Sequence, residues 1–306
     1  MGWFLAAVTA LALALAWPIP LWLARAEWTT RSPRAALVIW QAIALGGALA
    51  MFGALLGLAL WPSTTLGELF AATWQGPLPA HWSLLNALAF SAALLFAALL
   101  LANLIHAAWL TERRRRQHRV RVDLLSAPLA EHQNVRLLNH PAPLAFCLPG
   151  MRNLTVLSSG LVELFDENEF QAVLEHERAH LRGQHHLMLL AFRAWHDALP
   201  WFPIASRAEG AVATLIELIA DDDAARRVER AWLASALQRI GGAWDDGLAF
   251  GQSVFATQSS YAPRLARLQA PRDRISPAAR WGALLAAILT VAVPTIYLAL
   301  LLSRSW

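Results

Sequence analysis

The chain has 306 residues, of which 57% are hydrophobic, and its mean hydropathy is +0.42. These values argue against a purely soluble protein, and the length allows a membrane region together with one soluble domain of ordinary size. The net charge is +4, and all 25 basic side chains are arginines. Clusters of them lie near apolar segments, which favours a role in membrane orientation over nucleic-acid binding. The single cysteine, Cys147, excludes an internal disulfide framework.

Four apolar stretches are predicted to cross the membrane, at residues 3–23, 35–60, 84–110 and 281–302. Each reaches the length of about 20 residues that a membrane-spanning helix needs. The first stretch is predicted to be a retained signal-anchor and not a cleaved signal peptide. It lacks a basic segment before it, and a Trp-rich segment that includes Arg25 follows it. We therefore expect a multi-pass protein of the cell membrane.

The distribution of arginine predicts the orientation of these spans. Arg25, Arg31 and Arg34 follow the first span, the loop at residues 61–83 has no arginine, and "TERRRRQHRVR" follows the third span. Short loops rich in arginine stay in the cytoplasm. The predicted domains are a three-helix transmembrane region at 1–110, a cytoplasmic globular domain at 111–280 and a C-terminal transmembrane helix at 281–306.

The globular domain is predicted to begin with strands and to continue with helices. "RVRVDLL" at 119–125 and "NVRLL" at 134–138 alternate as strands do, and "PLAFCLPGMRNLTVLSS" indicates two strands joined through Pro149 and Gly150. "DENEFQAVLEHERAHLRG" has the acidic first turn and the final glycine, Gly183, of a helix. Residues 187–203 indicate a core or membrane-surface helix. The expected fold is an α-helical membrane protein with an α+β domain.

The segment "HERAH" carries the chemistry that stands out most clearly. His176 and His180 are four residues apart, so on a helix both imidazoles lie on one face and can bind one metal ion. Neutral imidazoles are zinc ligands, and a carboxylate after the first histidine, here Glu177, reaches the attacking water as a general base. His185 and His186 follow Gly183 and are predicted to be surface or membrane-edge residues.

A catalytic zinc ion takes three protein ligands, so one more is expected. In "TLIELIADDDAARR", Glu217 and Asp221 are also four residues apart on a predicted helix. Glu217 is the predicted third ligand of one Zn²⁺ per chain, and Asp221 is predicted to accept a hydrogen bond from a ligand histidine and so fix its tautomer. Tyr261 and Arg264 are named as candidates for stabilising the transition state.

The segments "AFCLPG", "LSSGLVEL", "EFQAVLEHERAHLRGQHHL" and "ELIADDDAA" resemble, in this order, the integral-membrane zinc metallopeptidases of the BlaR/MecR type. This resemblance implies a zincin-like (gluzincin) protease domain on the cytoplasmic face, zinc ligation by His176, His180 and Glu217, and catalysis by Glu177. The more distant HtpX/Ste24-type proteases share the HExxH and ExxxD motifs. In the beta-lactam sensors a penicillin-binding domain follows the last span, whereas this sequence stops soon after Leu302, so direct acylation by a beta-lactam is not expected.

Three functions are compatible with these motifs. The first is a zinc endopeptidase that cuts a cytoplasmic or membrane-proximal protein, such as a transcriptional repressor in signal transduction. The second is an HtpX/Ste24-like quality-control protease, and the third is a non-catalytic signalling receptor that zinc stabilises. Glu177 favours catalysis, since a purely structural zinc site needs no base. The expected partners are a protein or peptide substrate and the lipid bilayer, without direct nucleic-acid binding.

Overall fold

The structure, a computed structural model, describes residues 2–61, 64–75, 82–129, 132, 134–150, 153–198, 203–245, 258–270 and 275–303. Its helices are α1 (Gly2–Ala16), α2 (Pro18–Arg25), α3 (Trp28–Arg31), α4 (Pro33–Ala59), α5 (Leu66–Gln75), α6 (Leu84–Leu125), α7 (Ser159–Leu164), α8 (Glu167–Arg182), α9 (His185–Met188), α10 (Leu190–Ala198), α11 (Pro203–Ala224), α12 (Arg230–Asp245), α13 (Gln258–Gln269) and α14 (Pro277–Ser303). Its strands are β1 (Ser126–Pro128), β2 (Val135–Leu138), β3 (Ala145–Leu148) and β4 (Leu154–Ser158).

Four helical segments are long and apolar enough to cross a membrane: α1 with α2, α4, α6 and α14. Their number and position agree with the multi-pass prediction, while the cytoplasmic orientation stays a prediction. Helix α4 lies among the others and packs against α1, α6 and α14. The contact with α14 is so close that a Cβ atom on Gly46 would collide with the carbonyl oxygen of Thr290. Small side chains therefore set the distance between these two helices.

Helix α6 is longer than the sequence predicted, because it continues through the arginine run to Leu125. The strand predicted at 119–125 is wrong. Val122 is buried, but Val120, Leu124 and Leu125 are exposed, so the alternating pattern does not define one buried face of a strand. Extending an existing helix costs little once it has been nucleated. The predicted domain boundary at 110 falls inside this helix.

The four strands form one sheet in the order β1-β2-β4-β3. The two strands predicted on either side of Pro149 and Gly150 are confirmed as β3 and β4, which pair antiparallel. β3 is at the edge of the described sheet and also contacts α8. Apolar side chains from β4, α7, α8 and α12 form the core of the domain, among them Leu157, Leu161, Val173, Leu174 and Leu237.

The helix predicted between an acidic first turn and Gly183 is confirmed as α8. The Asp166 side chain accepts a hydrogen bond from the Glu169 backbone, the Glu169 side chain accepts one from the Asp166 backbone, and the helix ends before Gly183. Such reciprocal capping fixes where a helix begins. The apolar stretch after it is broken into two short helices, α9 and α10, and part of the stretch, residues 199–202, lies outside the described residues. Helix α10 packs against both α6 and α11.

Candidate metal centre

Helices α8 and α11 bring three potential metal ligands together. His176, His180 and Glu217 each offer one ligand atom, and these atoms all lie within 4.8 Å of one another. Nε2 of His176 is 3.4 Å from Oε2 of Glu217, Nε2 of His180 is 3.4 Å from Oε1 of Glu217, and the two Nε2 atoms are 3.0 Å apart. Two imidazoles and one carboxylate are a common ligand set of catalytic zinc. The structure thus assembles the three residues that the sequence selected as ligands.

Asp221 lies behind His176, one helical turn after Glu217. Nδ1 of His176 is 2.8 Å from Oδ1 of Asp221, a contact that leaves Nε2 facing His180 and Glu217. Burial raises the pKa of Asp221, but the Arg264 guanidinium and the hydrogen bond to His176 outweigh it and hold that pKa well below its usual range. An ionised Asp221 can therefore keep the proton of His176 on Nδ1, as carboxylates behind metal-binding histidines do.

Arg264 on α13 is the counter-ion of both carboxylates. Its side chain is buried, and it donates to the two oxygens of Asp221 at 2.8 Å each and to Oε2 of Glu217 at 3.0 Å. Paired hydrogen bonds of this kind hold a carboxylate in a fixed orientation. They also offset the cost of burying two negative charges. The contacts therefore describe a positioning group, and a direct role of Arg264 in the transition state stays a prediction.

Tyr261, the other candidate from α13, lies against the helical core of the domain. It is partly buried beside the cluster that includes Leu237, and a Cβ atom on Gly241 of α12 would lie 2.6 Å from its hydroxyl oxygen. The close approach of α12 to this ring requires a glycine. The described contacts thus place Tyr261 in the packing of α12 against α13, and its predicted role in the transition state stays a prediction.

His185 is a site residue that the sequence analysis missed. It was predicted to be a surface or membrane-edge residue, but it is buried, and its Nδ1 lies 3.0 Å from Nδ1 of His180. The chain reverses after α8 because Gln184 adopts a left-handed conformation with φ of 48°. Gly183 makes room for the return, since a Cβ atom there would overlap the His185 ring. In the sequence, Gly183 between His180 and His185 was the feature that could have indicated this return of the chain.

The contact between His185 and His180 parallels the one between Asp221 and His176. Burial lowers the pKa of His185 to about 4, so its ring is neutral and Nδ1 can accept a proton. If His180 donates from Nδ1, its Nε2 lone pair faces His176 and Glu217. Each histidine of the motif thus has one partner behind it that can fix its tautomer.

Glu177 is fully buried beside the ligand atoms. Among the described residues, neither of its carboxylate oxygens accepts a hydrogen bond from a nitrogen or oxygen donor, and the thiol of Cys147 is close enough to donate a weak one. Burial, the largest influence, raises the pKa of Glu177 to about 7. Burial raises the pKa of the Cys147 thiol on β3, and the nearby charge of Glu177 raises it further. A buried carboxylate that has only a weak thiol donor for a neighbour and lies beside a metal ligand set is suited to bind a water molecule.

The two motif histidines have opposite protonation. Burial and Arg264 lower the pKa of His176, but the hydrogen bonds to Asp221 and Glu217 help to raise it to about 9. Burial lowers the pKa of His180 to about 3. At neutral pH the pair therefore carries one positive charge, on His176, whose Nε2–H can donate to Nε2 of His180 across the short contact between these atoms. A metal ion bound to both nitrogens would replace this proton.

Comparison with known proteins agrees with this geometry. Residues 108–208 match the profile of Peptidase family M48, over about a third of the chain. The match includes the sheet, α8 and both motif histidines, while Glu217, Asp221 and Arg264 lie beyond it. No curated protein sequence and no solved structure matches the chain. The match supports a metallopeptidase, and together with the four apolar helices it suggests a membrane metalloprotease; the BlaR/MecR resemblance is finer than this match and stays a prediction.

Proposed function

We propose that the protein is a membrane-embedded zinc endopeptidase that hydrolyses peptide bonds of a cytoplasmic or membrane-proximal protein. The observation that carries this proposal is the buried carboxylate of Glu177 beside His176, His180 and Glu217, which accepts no N–H or O–H hydrogen bond from the described residues. A zinc site that only stabilises a receptor needs no such group. In a hydrolase the same carboxylate acts as the general base, and catalytic groups are often buried despite the free-energy cost of burying a charge.

The residues present fit zinc by their chemistry, because two imidazoles and one carboxylate can converge on one ion once His176 has released its proton. Zinc held there would supply a Lewis acid for the scissile carbonyl and lower the pKa of a water molecule. Glu177 accepts the proton of the attacking water and then donates it to the leaving amine. A pKa of about 7 suits both steps, since a general acid-base group works best near the operating pH.

The remaining charged groups hold this arrangement in place. Asp221 orients His176, and Arg264 keeps Asp221 and Glu217 ionised and fixed. In the described sheet β3 pairs with β4 on one side only, and its Cys147 lies near Glu177. An extended peptide can add to such an edge through main-chain hydrogen bonds. We therefore propose β3 as the surface that aligns the substrate chain with the general base.

The proposed location of this chemistry is the cytoplasmic face. Arg25, Arg31 and Arg34 follow the first span, and residues 113–116 are four consecutive arginines after the third. Reporter fusions at Ser83 and Arg116 should report outside and inside respectively. The reverse pattern would place the site outside the cytoplasm and remove transcriptional repressors from the possible substrates.

The central experiment replaces Glu177 with Gln in the full-length protein. Zinc content should stay near one ion per chain, while hydrolysis of an unstructured test protein such as casein should fall by about 100-fold or more, because only the base is lost. Glu175→Gln is the matched control, since Glu175 lies on the same helix but pairs with Arg178 and Arg182. Retained zinc together with full cellular function in Glu177→Gln would support the receptor hypothesis, whereas unchanged casein hydrolysis would exclude Glu177 as the general base.

The substrate class is tested by comparing the proteomes of cells that carry the wild type and Glu177→Gln. Cleavage of a repressor predicts that one or a few intact proteins accumulate in the variant. A quality-control protease with the same chemistry predicts that many membrane proteins accumulate together.

A further inference from the structure

A groove of about 350 Å³ lies between α4 and α14, where both of these helices begin. Both helices are candidate membrane spans, and with Ser32, the residue that precedes α4, they supply its lining. The lining combines two arginines, Arg34 and Arg280, with apolar side chains such as Val38 and Leu284. This groove therefore brings positive charge and apolar surface together at one end of two spans.

Helices α4 and α14 run parallel, so both arginines lie at the same edge of the membrane region. Gly46 of α4 lies against Thr290 of α14, and Gly53 lies against Tyr297, about two turns further along each helix. The arginines of the groove belong to the first turns of these helices. Trp281, the residue after Arg280, has 70% of its surface exposed, as is common for tryptophan at a membrane–water interface.

The groove offers more positive charge and more donors than its described surroundings use. Arg280 is exposed, and no carboxylate in the described part of the chain pairs with it. Arg34 pairs through Nη2 with Asp223 of α11, but Asp223 is shared with Arg226, so it does not cancel the charge. The hydroxyl of Ser32 makes no hydrogen bond that caps α4.

These groups define the chemistry of an occupant. A guanidinium group matches a phosphate group in shape and charge, and can donate two parallel hydrogen bonds to it. Val38 and Leu284 each follow an arginine of the groove by four residues, so they lie one turn deeper in the span. The occupant must therefore join a phosphate at the membrane edge to an apolar chain that extends inward. A small soluble anion lacks the chain, and a membrane peptide lacks the phosphate.

We propose that this groove binds one anionic phospholipid, with its phosphate at Arg34 and Arg280 and an acyl chain along Val38 and Leu284. The lipid joins the first turns of α4 and α14. Since Arg34 also pairs with Asp223 at the end of α11, the same arginine contacts the lipid and the helix that carries Glu217. The proposal rests on the membrane spans and is independent of the proposed peptidase activity.

The test titrates the delipidated full-length protein in detergent with phosphatidylglycerol and counts bound lipids by native mass spectrometry. One molecule per chain should bind more tightly than phosphatidylcholine with the same acyl chains. Arg280→Gln should weaken binding by about tenfold or more, as expected for the loss of a hydrogen bond to a charged group. Ala35→Phe keeps both arginines but fills the groove from α4, and should weaken binding at least as much.

Arg113→Gln is the matched control. Arg113 also lies beside an exposed tryptophan near the end of the apolar part of a candidate span, with its guanidinium 5.2 Å from the centroid of the Trp109 ring. It is not paired with a described carboxylate, so the substitution removes the same charge outside the groove and should leave the affinity unchanged. Thermal unfolding verifies that each variant is folded. Arg280→Gln and Ala35→Phe act on different helices, so either of them can decide alone.

Three results would overturn the proposal. An equal loss in Arg113→Gln would indicate general attraction between arginines and anionic lipid. Equal affinity for phosphatidylcholine, unchanged by Arg280→Gln, would show that the headgroup is not recognised. Displacement of the lipid by inorganic phosphate at similar concentration would assign the groove to a small soluble anion. All of these readouts are separate from zinc content and casein hydrolysis.

Discussion

The membrane-spanning helices and the metal centre use burial in opposite ways. The described parts of the spans α1, α4, α6 and α14 bury Asn86 as their polar side chain and otherwise pack apolar and small residues. The metal centre buries a dense group of charged and polar side chains, which consists of His176, Glu177, His185, Asp221 and Arg264. Packing in the spans is distributed over many weak contacts. In the centre, each group depends on a particular partner, so the loss of one partner should cost far more there.

The strongest test of this contrast is Arg264→Met. Removing the guanidinium leaves two buried carboxylates, Asp221 and Glu217, with only the protonated ring of His176 to balance them, which should destabilise the protein by about 3–5 kcal/mol. Arg267→Met is the control on the same helix, because Arg267 pairs with Asp222 where both side chains are partly exposed. That variant should lose about 0–1 kcal/mol. Denaturant unfolding in detergent measures both, and similar losses would remove the distinction between the two pairs.

His185→Ala tests whether His180 needs its contact with His185 to bind zinc. Loss of a group that orients a metal ligand should lower zinc affinity by about 10- to 100-fold. His186→Ala changes the neighbouring residue, which is only partly buried, and should leave affinity nearly unchanged. Competition with a zinc chelator measures the two affinities. Equal affinities would mean that His180 is oriented without the contact at 3.0 Å.

The pH dependence of zinc binding tests the proton carried by His176. The pKa of this residue is raised to about 9, so at pH 7 the ring is protonated and must release its proton when zinc binds. Affinity should therefore rise about tenfold for each pH unit between 7 and 9 and then level off. Calorimetry in two buffers of different ionisation enthalpy should show about one proton released per chain at pH 7. Release of none would place the proton elsewhere.

The smallest effect is expected in the spans. Asn86 donates to the carbonyl oxygens of Leu58, Ala59 and Trp61 at the end of α4 and accepts from the backbone of Ser83. Asn86→Leu should cost only about 1 kcal/mol, because water at the end of the span can replace part of this bonding. Asn103→Leu, which removes one local hydrogen bond to Leu99, is the control. Thermal unfolding compares them, and a loss as large as that of Arg264→Met would contradict the contrast.

The sequence predicted those parts of the site that depend on local spacing. His176 with His180, and Glu217 with Asp221, are pairs at four-residue separation on helices with clear boundaries, so their shared faces follow from helical geometry. The same regularity allowed the four apolar spans and the strands β3 and β4 to be identified. The prediction failed where the same residues were compatible both with a strand and with the continuation of a helix. At 119–125 the alternation indicated a strand, but an existing helix continued through it.

No local sequence pattern indicated the contacts between segments that are distant in the chain. Arg264 was named as a candidate, but only the packing of α13 against α11 shows that it pairs with both Asp221 and Glu217. The proximity of Cys147 to Glu177 depends on how β3 lies against α8. The return of His185 toward His180 depends on one left-handed residue, Gln184, whose side chain gives little preference for that conformation.

The length of α6 has a mechanical consequence. Its 42 residues extend about 63 Å, whereas about 30 Å cross the hydrocarbon of a bilayer. Near its far end, Arg119 donates to the carbonyl oxygen of Leu148, the last residue of β3. Membrane helices relieve a mismatch in bilayer thickness by tilting. In a continuous helix such a tilt displaces the distal end, and the Arg119 contact transmits this displacement to β3, the strand beside Glu177.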